Sequence, residues 1–171
     1  TISELKKTIL KVREAVGDGF PLMIDPACKL RTFTEVLLIG QACDEANYLW
    51  LEDAYRDSGV STTAHKMLRQ RLKTPILQTE HVRGLEEHVN FIVAEGTDFV
   101  RADAEYDGGV TGASKIAHAS EGFGLDVELH GPHPVHRQLM AGIRNSNFYE
   151  MSLVHPKTPE IGRCMDIYAC L

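Results

Sequence analysis

Along the 171-residue chain, apolar residues fall into two alternating patterns. Short, nearly continuous apolar runs occur at FPLMID (20–25), YLWLE (48–52), TPILQTE (74–80), DFVRAD (98–103), LDVELH (125–130) and FYEMSL (148–153). Between them lie amphipathic stretches of helical period: TFTEVLLIGQACDEA, STTAHKMLRQRL, RGLEEHVNFIVAE, TGASKIAHASEGF and VHRQLMAGIRN. Another such stretch, ISELKKTILKVREAV, comes before the first run. Runs too short for buried helices, separated by whole helices, predict parallel βαβ units with both sheet faces covered. The predicted class is α/β.

Two parallel architectures fit this alternation, an open doubly wound sheet and a (β/α)8 barrel. A nucleotide-binding open sheet would carry a glycine-rich phosphate loop after its first strand, and no run here is followed by GxGxxG or GxxxxGK. Gly108-Gly109 is too short a signal. Almost every run instead closes on an ionisable residue, which is how barrel enzymes place their chemistry at the carboxyl ends of strands. The expectation is therefore one domain over 1–171, an incomplete TIM-type barrel of about six parallel strands. No element is assigned to the tail from about 155 to 171. The chain enters a helical pattern directly at Thr1 and closes at Cys170-Leu171 with no turn signal, so part of a longer protein is expected.

Composition changes this picture little. The 43% hydrophobic and 25% charged content is that of a globular domain. A net charge of -6, with no basic run longer than Lys6-Lys7, argues against nucleic acid or an anionic membrane as partner. No apolar stretch approaches a bilayer span and nothing resembles a signal peptide, so a cytoplasmic location is expected. Cys28, Cys43, Cys164 and Cys170 show no metal-ligand or disulfide spacing and read as reduced thiols.

The run-closing residues are Asp25, Glu52, Glu80, Asp103, His130 and Glu150, at intervals of 27, 28, 23, 27 and 20, each about one βα unit. Neighbouring barrel strands would bring all six to one face. Three carboxylates from consecutive strands repel unless a cation joins them, and an all-oxygen set suits Mg²⁺. Asp103 beside His130 would fix the imidazole tautomer and make a general base near neutral pH. VELHGPHPVH then has a reason to break: His130 ends its strand facing substrate, and Gly131-Pro132 turns the chain away. Glu150, one strand on, would hold a substrate oxygen. Taken singly, a strand-end acid is ordinarily a helix cap or a solvated loop residue, and Asp25 before Pro26 also reads as a turn. The matched spacing of six favours the functional reading. Among the other histidines, His65, His88 and His118 read as helix surface or packing residues. His81, His133 and His136 follow strand ends and are candidate pocket residues. Arg101 is a candidate pocket residue or a barrel-interior charge paired with Glu80 or Asp103.

Those segments, MIDPAC, WLED, TEH, the RAD…GGVTG run, VELHG and FYEMS, resemble the enolase superfamily, within it the mandelate racemase and muconate lactonizing enzyme family, over roughly 20 to 153. The resemblance implies Asp25, Glu52 and Glu80 as Mg²⁺ ligands, the Asp103–His130 pair as the base that takes a proton α to a carboxylate, and Glu150 as the acid that stabilises the enolate. It also implies a capping domain and first barrel strands, one often bearing Lys-x-Lys, that have no counterpart before Thr1. Ala27 stands where relatives often have Asn, and Ala54 where they often have Pro.

The expected activity is Mg²⁺-dependent dehydration of a sugar acid, an aldonate or aldarate, because the resemblance implies that many members do this and because His133, His136 and Arg137 follow the base. The alternatives are a racemase, epimerase or cycloisomerase, or a non-catalytic barrel fragment. Exposed sheet edges in an unclosed barrel add a further expectation, a homo-oligomer or completion by the rest of the same polypeptide.

Overall fold

The computed structural model describes residues 1–56 and 60–151. Helices and strands alternate in the order α1 (Ile2–Val16), β1 (Met23–Ile24), α2 (Phe33–Glu45), β2 (Trp50–Glu52), α3 (Thr62–Arg69), β3 (Ile76–Gln78), α4 (Gly84–Val93), β4 (Phe99–Ala102), α5 (Gly109–Gly122), β5 (Asp126–Leu129) and α6 (Pro134–Gly142). The five strands form one parallel sheet in sequence order, β1-β2-β3-β4-β5, as successive staves of a barrel wall. Helix starts follow local chemistry. Thr1 and Glu4 close a capping box on α1, Thr32 accepts from Glu35 N on α2, and Ser61 accepts from Ala64 N on α3. α5 begins differently, on Gly108 and Gly109, both at positive φ (81° and 75°), where a side chain would be strained. A Cβ on Gly112 would lie 1.6 Å from the Asp107 carbonyl oxygen, so the GGVTG run is a tight bend into a helix.

Alternation along each strand separates two faces. Leu51, Val100, Ala102, Val127 and Leu129 are buried against the helices. They belong to two apolar clusters, one including Ile9 and Ile39 of α1 and α2, the other Ile116 and Leu139 of α5 and α6. The opposite face carries Trp50, Glu52, Phe99, Arg101 and Glu128, with Arg101 directly opposite Glu128 in register. Trp50 packs its ring 5.5 Å from those of Phe99 and Phe148. This is the face a barrel turns inward.

Among the described residues five strands form, where about six were expected. Residues 143–151 hold no strand; they run beside β5, with Val127 N donating to Asn145 O at 2.7 Å. The fully buried Glu128 carboxylate then accepts from Asn147 N and from Phe148 N, the latter at 3.0 Å. These amides are thus bound to a side chain where a ladder would use a neighbouring strand. Residues 152–153 of that run, the expected tail, Cys164 and Cys170 lie outside the described residues. Cys28 and Cys43 form no disulfide. Among the described residues no helix is long and apolar enough to cross a membrane.

Candidate active site

At the carboxyl ends of β4 and β5, hydrogen bonds build a base. His130 Nδ1 lies 2.7 Å from Asp103 Oδ2. A carboxylate there makes Nδ1 the donor and leaves the Nε2 lone pair outward, 3.5 Å from Glu80 Oε1. Asp103 is held in turn: its Oδ1 accepts from Glu105 N at 2.7 Å, and its own N–H donates to Asp107 Oδ2 at 2.9 Å. Asp107 also accepts from Gly84 N, which ties the start of α4 to this loop. The Tyr106 ring stacks on His130 at 5.9 Å, and the Arg83 guanidinium lies 4.6 Å from the Tyr106 centroid.

The ends of β1, β2 and β3 are electrostatically different. Glu52 is 4% exposed, and burial, opposed by Arg101 and reinforced by Asp25, Glu150 and Glu80, pushes its carboxyl up to about 7. Burial, then the facing Glu80 charge, pushes Asp53 up to about 8. Asp25 is raised as well, chiefly by burial. Arg101 partly compensates this negative charge: Nη2 lies 2.7 Å from Glu52 Oε1 and 2.9 Å from Glu150 Oε2. The expected Arg101 partners, Glu80 and Asp103, are replaced by Glu52 and Glu150, because Glu52 and Arg101 share the inward face. Glu150 Oε2 also accepts from Gly131 N at 2.9 Å, which holds the turn after His130.

Asp25, Glu52 and Glu80 therefore stand at the ends of three adjacent strands, as the spacing predicted. Their ligand atoms do not converge to within 4.8 Å of one another; among the described residues that spacing occurs for Cys28, Asp53 and His81. Like charges spread, and Glu52 is drawn to Arg101. Asp25 also makes the turn that Pro26 suggested, its Oδ1 accepting from Ala27 N at 2.5 Å. The set nonetheless fits a hard divalent ion: every donor is oxygen, and the buried Glu52 carboxyl, raised beside the charges of Asp25 and Glu80, would be stabilised by a cation.

The other candidate residues divide. His81 sits between Asp53 and Glu80, 3.2 and 3.7 Å away. His133 remains partly exposed, 3.5 Å from Glu105 and edge-on to His136. His136 lines no open surface, which corrects the pocket reading. It is fully buried because Nε2 accepts from Ala104 N at 3.0 Å and Nδ1 meets Gly131 O at 3.3 Å, so it buttresses the Asp103 loop as a neutral ring. His65 and His88 are packed, 1% exposed each, and His118 is on the surface. Sequence reasoning missed Asp107, whose signal was an acid four residues after Asp103, and Asp53, the second acid of WLED. Cys28 gave no signal. A cleft of ≈ 350 Å³ lined by Asp25, Trp50, Glu52, Arg101, Phe148 and Glu150 opens on the inward face. A larger one, ≈ 420 Å³, is lined by Arg13, Phe20, Tyr48 and Pro75 near the amino ends of the strands, away from these groups.

A family model described as enolase C-terminal domain-like matches residues 3–166. The chain belongs to this family. It is 33% identical over 138 residues to an L-talarate/galactarate dehydratase of Salmonella typhimurium, covering 79% of this chain and 33% of that protein. A crystal structure of D-glucarate dehydratase from Agrobacterium tumefaciens complexed with magnesium superposes with a TM-score of 0.85 at 30% identity, covering 92% of this chain and 41% of the other. L-talarate dehydratase from Polaromonas, complexed with Mg and L-glucarate, superposes at 0.76 with 25% identity, covering 86% of this chain and 42% of that one. The chain thus spans about a third of the length of the curated relative.

Proposed function

We propose that this enolase-family segment carries the metal and base half of a Mg²⁺-dependent sugar-acid dehydratase. The observation that supports it most is the His130–Asp103 pair, with the second imidazole nitrogen turned toward the Glu80 carboxylate. Asp25, Glu52 and Glu80 would hold the ion, which when bound supplies a Lewis acid for the substrate carboxylate. A proton α to a carboxylate is too weakly acidic for an unaided imidazole, so base and cation have to act on the same molecule.

His130 Nε2 accepts the α-proton, and Asp103 stabilises the imidazolium and keeps the ring in one orientation. As the double bond forms, the β C–O bond breaks. The imidazolium is then the group able to protonate the departing hydroxyl, so that water leaves. Glu150, already held by Arg101 and Gly131 N, borders the cleft where a substrate oxygen would sit.

The test is α-proton exchange in D₂O, read by NMR against a panel of aldonic and aldaric acids, with and without Mg²⁺. Mg²⁺-dependent exchange that disappears in His130→Asn supports the reading. A folded chain with neither exchange nor Mg²⁺ affinity overturns it in favour of a non-catalytic barrel segment.

A further inference from the structure

Beside the oxygen-rich set lies a second donor cluster with different chemistry. Cys28 Sγ is 3.3 Å from His81 Nε2, and Asp53 Oδ2 is 3.2 Å from the same nitrogen. All three ligand atoms lie within 4.8 Å of one another. We propose that Cys28, Asp53 and His81 form a binding site for a thiophilic divalent ion of the zinc class, separate from the hard-ion site assigned to Asp25, Glu52 and Glu80.

The geometry carries this. A tetrahedral ion with bonds of about 2.3 Å to sulfur and about 2.0 Å to nitrogen and oxygen sets its ligand atoms roughly 3.5 Å (S to N) and 3.3 Å (N to O) apart. The observed 3.3 and 3.2 Å are close to those values. A nucleophilic relay fits less well, because it needs the carboxylate on one ring nitrogen and the thiol on the other. Here both converge on Nε2.

The backbone is also committed to this arrangement. Cys28 N donates to Asp53 O at 2.7 Å, and a parallel bridge joins Leu30 to Tyr55 just beyond, so the loops after β1 and β2 are zipped together. Cys28 and Asp53 both have positive φ, 56° and 35°, a conformation costly for residues other than glycine. Asp53 is 4% exposed, and its Oδ1 is buried without a hydrogen-bond partner. Sulfur, imidazole and carboxylate together favour zinc, cobalt or nickel over magnesium, which prefers oxygen alone. Three protein donors leave a fourth position for water or a small ligand.

The probe is Co²⁺, titrated into the chelator-stripped full chain with Mg²⁺ in excess. The expected result is one equivalent of Co²⁺ giving a thiolate charge-transfer band in the near ultraviolet, lost when Zn²⁺ is added. Cys28→Ser should abolish the band and His81→Ala should weaken Co²⁺ binding at least tenfold, each with parental circular dichroism. Glu52→Gln should keep the band while losing Mg²⁺ affinity, which separates this site from the hard-ion reading. A folded parent without the band, or a band that survives Cys28→Ser or vanishes in Glu52→Gln, overturns the proposal.

Discussion

The two halves of the strand-end surface are built on opposite principles. Around Asp103 and His130, hydrogen bonds within the protein do the positioning: Asp107, His136 and Glu105 each tie down the loop that carries the acid, and the imidazole is fixed in one tautomer. Around the ends of β1, β2 and β3, the buried carboxyls of Glu52 and Asp53 face the less buried Asp25 and Glu80, with Arg101 as a partial counterweight. The first half is positioned once the chain folds, since Asp103, Asp107 and His130 Nδ1 each meet a partner of opposite sense there. The second keeps electrostatic tension that only protonation or a cation relieves. A proton-abstracting enzyme needs both: a base that does not wander, and a place where charge is wanted.

The largest effect expected from breaking this contrast lies in the first half. His130→Asn removes the base while leaving helix and sheet untouched, and should reduce Mg²⁺-dependent α-proton exchange by about 10²- to 10⁴-fold. Asp103→Asn should fall in the same range, because an amide can hold the imidazole in the wrong tautomer. Both are read by the D₂O experiment. A His130→Asn chain that still exchanges at the parental rate would move the base elsewhere.

The second half should answer to pH and Mg²⁺. Glu52 lies near 4.5 when unfolded and is pushed up to about 7 when folded. Between those values the folded state binds more protons at this group, so the contribution of Glu52 to the stability of the metal-free chain falls as pH rises from about 4.5 to about 7. For this nearly buried group the penalty is on the order of 3 kcal/mol, complete above about pH 7. Mg²⁺ should offset it, so the rise in Tm on adding Mg²⁺ should be larger at pH 8 than at pH 5.5. Glu52→Gln should lose most of that difference. Melting curves at the two pH values check this, and an equal Mg²⁺ response at both would remove the tension argument.

Much of this contrast was legible in the sequence, and the reason is periodicity. A βα unit of about 25 residues places each strand-closing side chain at the same end of the sheet, so Asp25, Glu52, Glu80, Asp103 and His130 could be grouped from intervals alone. Partners set by side-chain reach across the sheet were not legible. Arg101 meets Glu52 two strands away rather than Glu80 or Asp103, which depends on which strand residues share the inward face. His136 looked like a pocket residue because it follows a strand end, yet the helix starting at Pro134 turns it inward to cap Ala104 N. Cys28 and Asp53 meet only because two loops pair by backbone hydrogen bonds, which no spacing encodes. That the described residues of the sixth run form no strand has a similar cause: the Glu128 carboxylate binds the amides of Asn147 and Phe148 that a ladder would have used.

A smaller effect should separate support from chemistry within the first half. Asp107 touches no candidate substrate position, yet it accepts from both Asp103 N and Gly84 N. Asp107→Ala leaves two largely buried donors unpaired, at a cost of about 1–3 kcal/mol each before relaxation. Exchange should fall by less than in His130→Asn, with partial rescue in Asp107→Asn, which keeps one acceptor. A positioning role predicts a rate loss that persists well below the melting temperature. A loss that tracks unfolding alone would make Asp107 a purely structural residue.

The smallest effect belongs to a group outside both halves whose titration runs against that of the buried carboxyls. His65 is buried in α3, its Nδ1 2.7 Å from Ser61 O and its ring 5.1 and 5.4 Å from Tyr55 and Phe91. Burial lowers its folded pKa below the ordinary 6.5. The unfolded chain therefore takes up the proton first, and this contribution to stability is lost as pH falls below about 6.5. Its sign is opposite to that of Glu52, so the two partly cancel in any single pH curve of the parent. His136, lowered for the same reason, acts in the direction of His65. Comparing urea unfolding of the parent with His65→Gln at pH 7.5, 6.5 and 5.5 removes the Glu52 and His136 contributions by subtraction. The parent should lose its advantage over His65→Gln steadily on acidification. A constant difference between the two would mean that His65 is not the group titrating there.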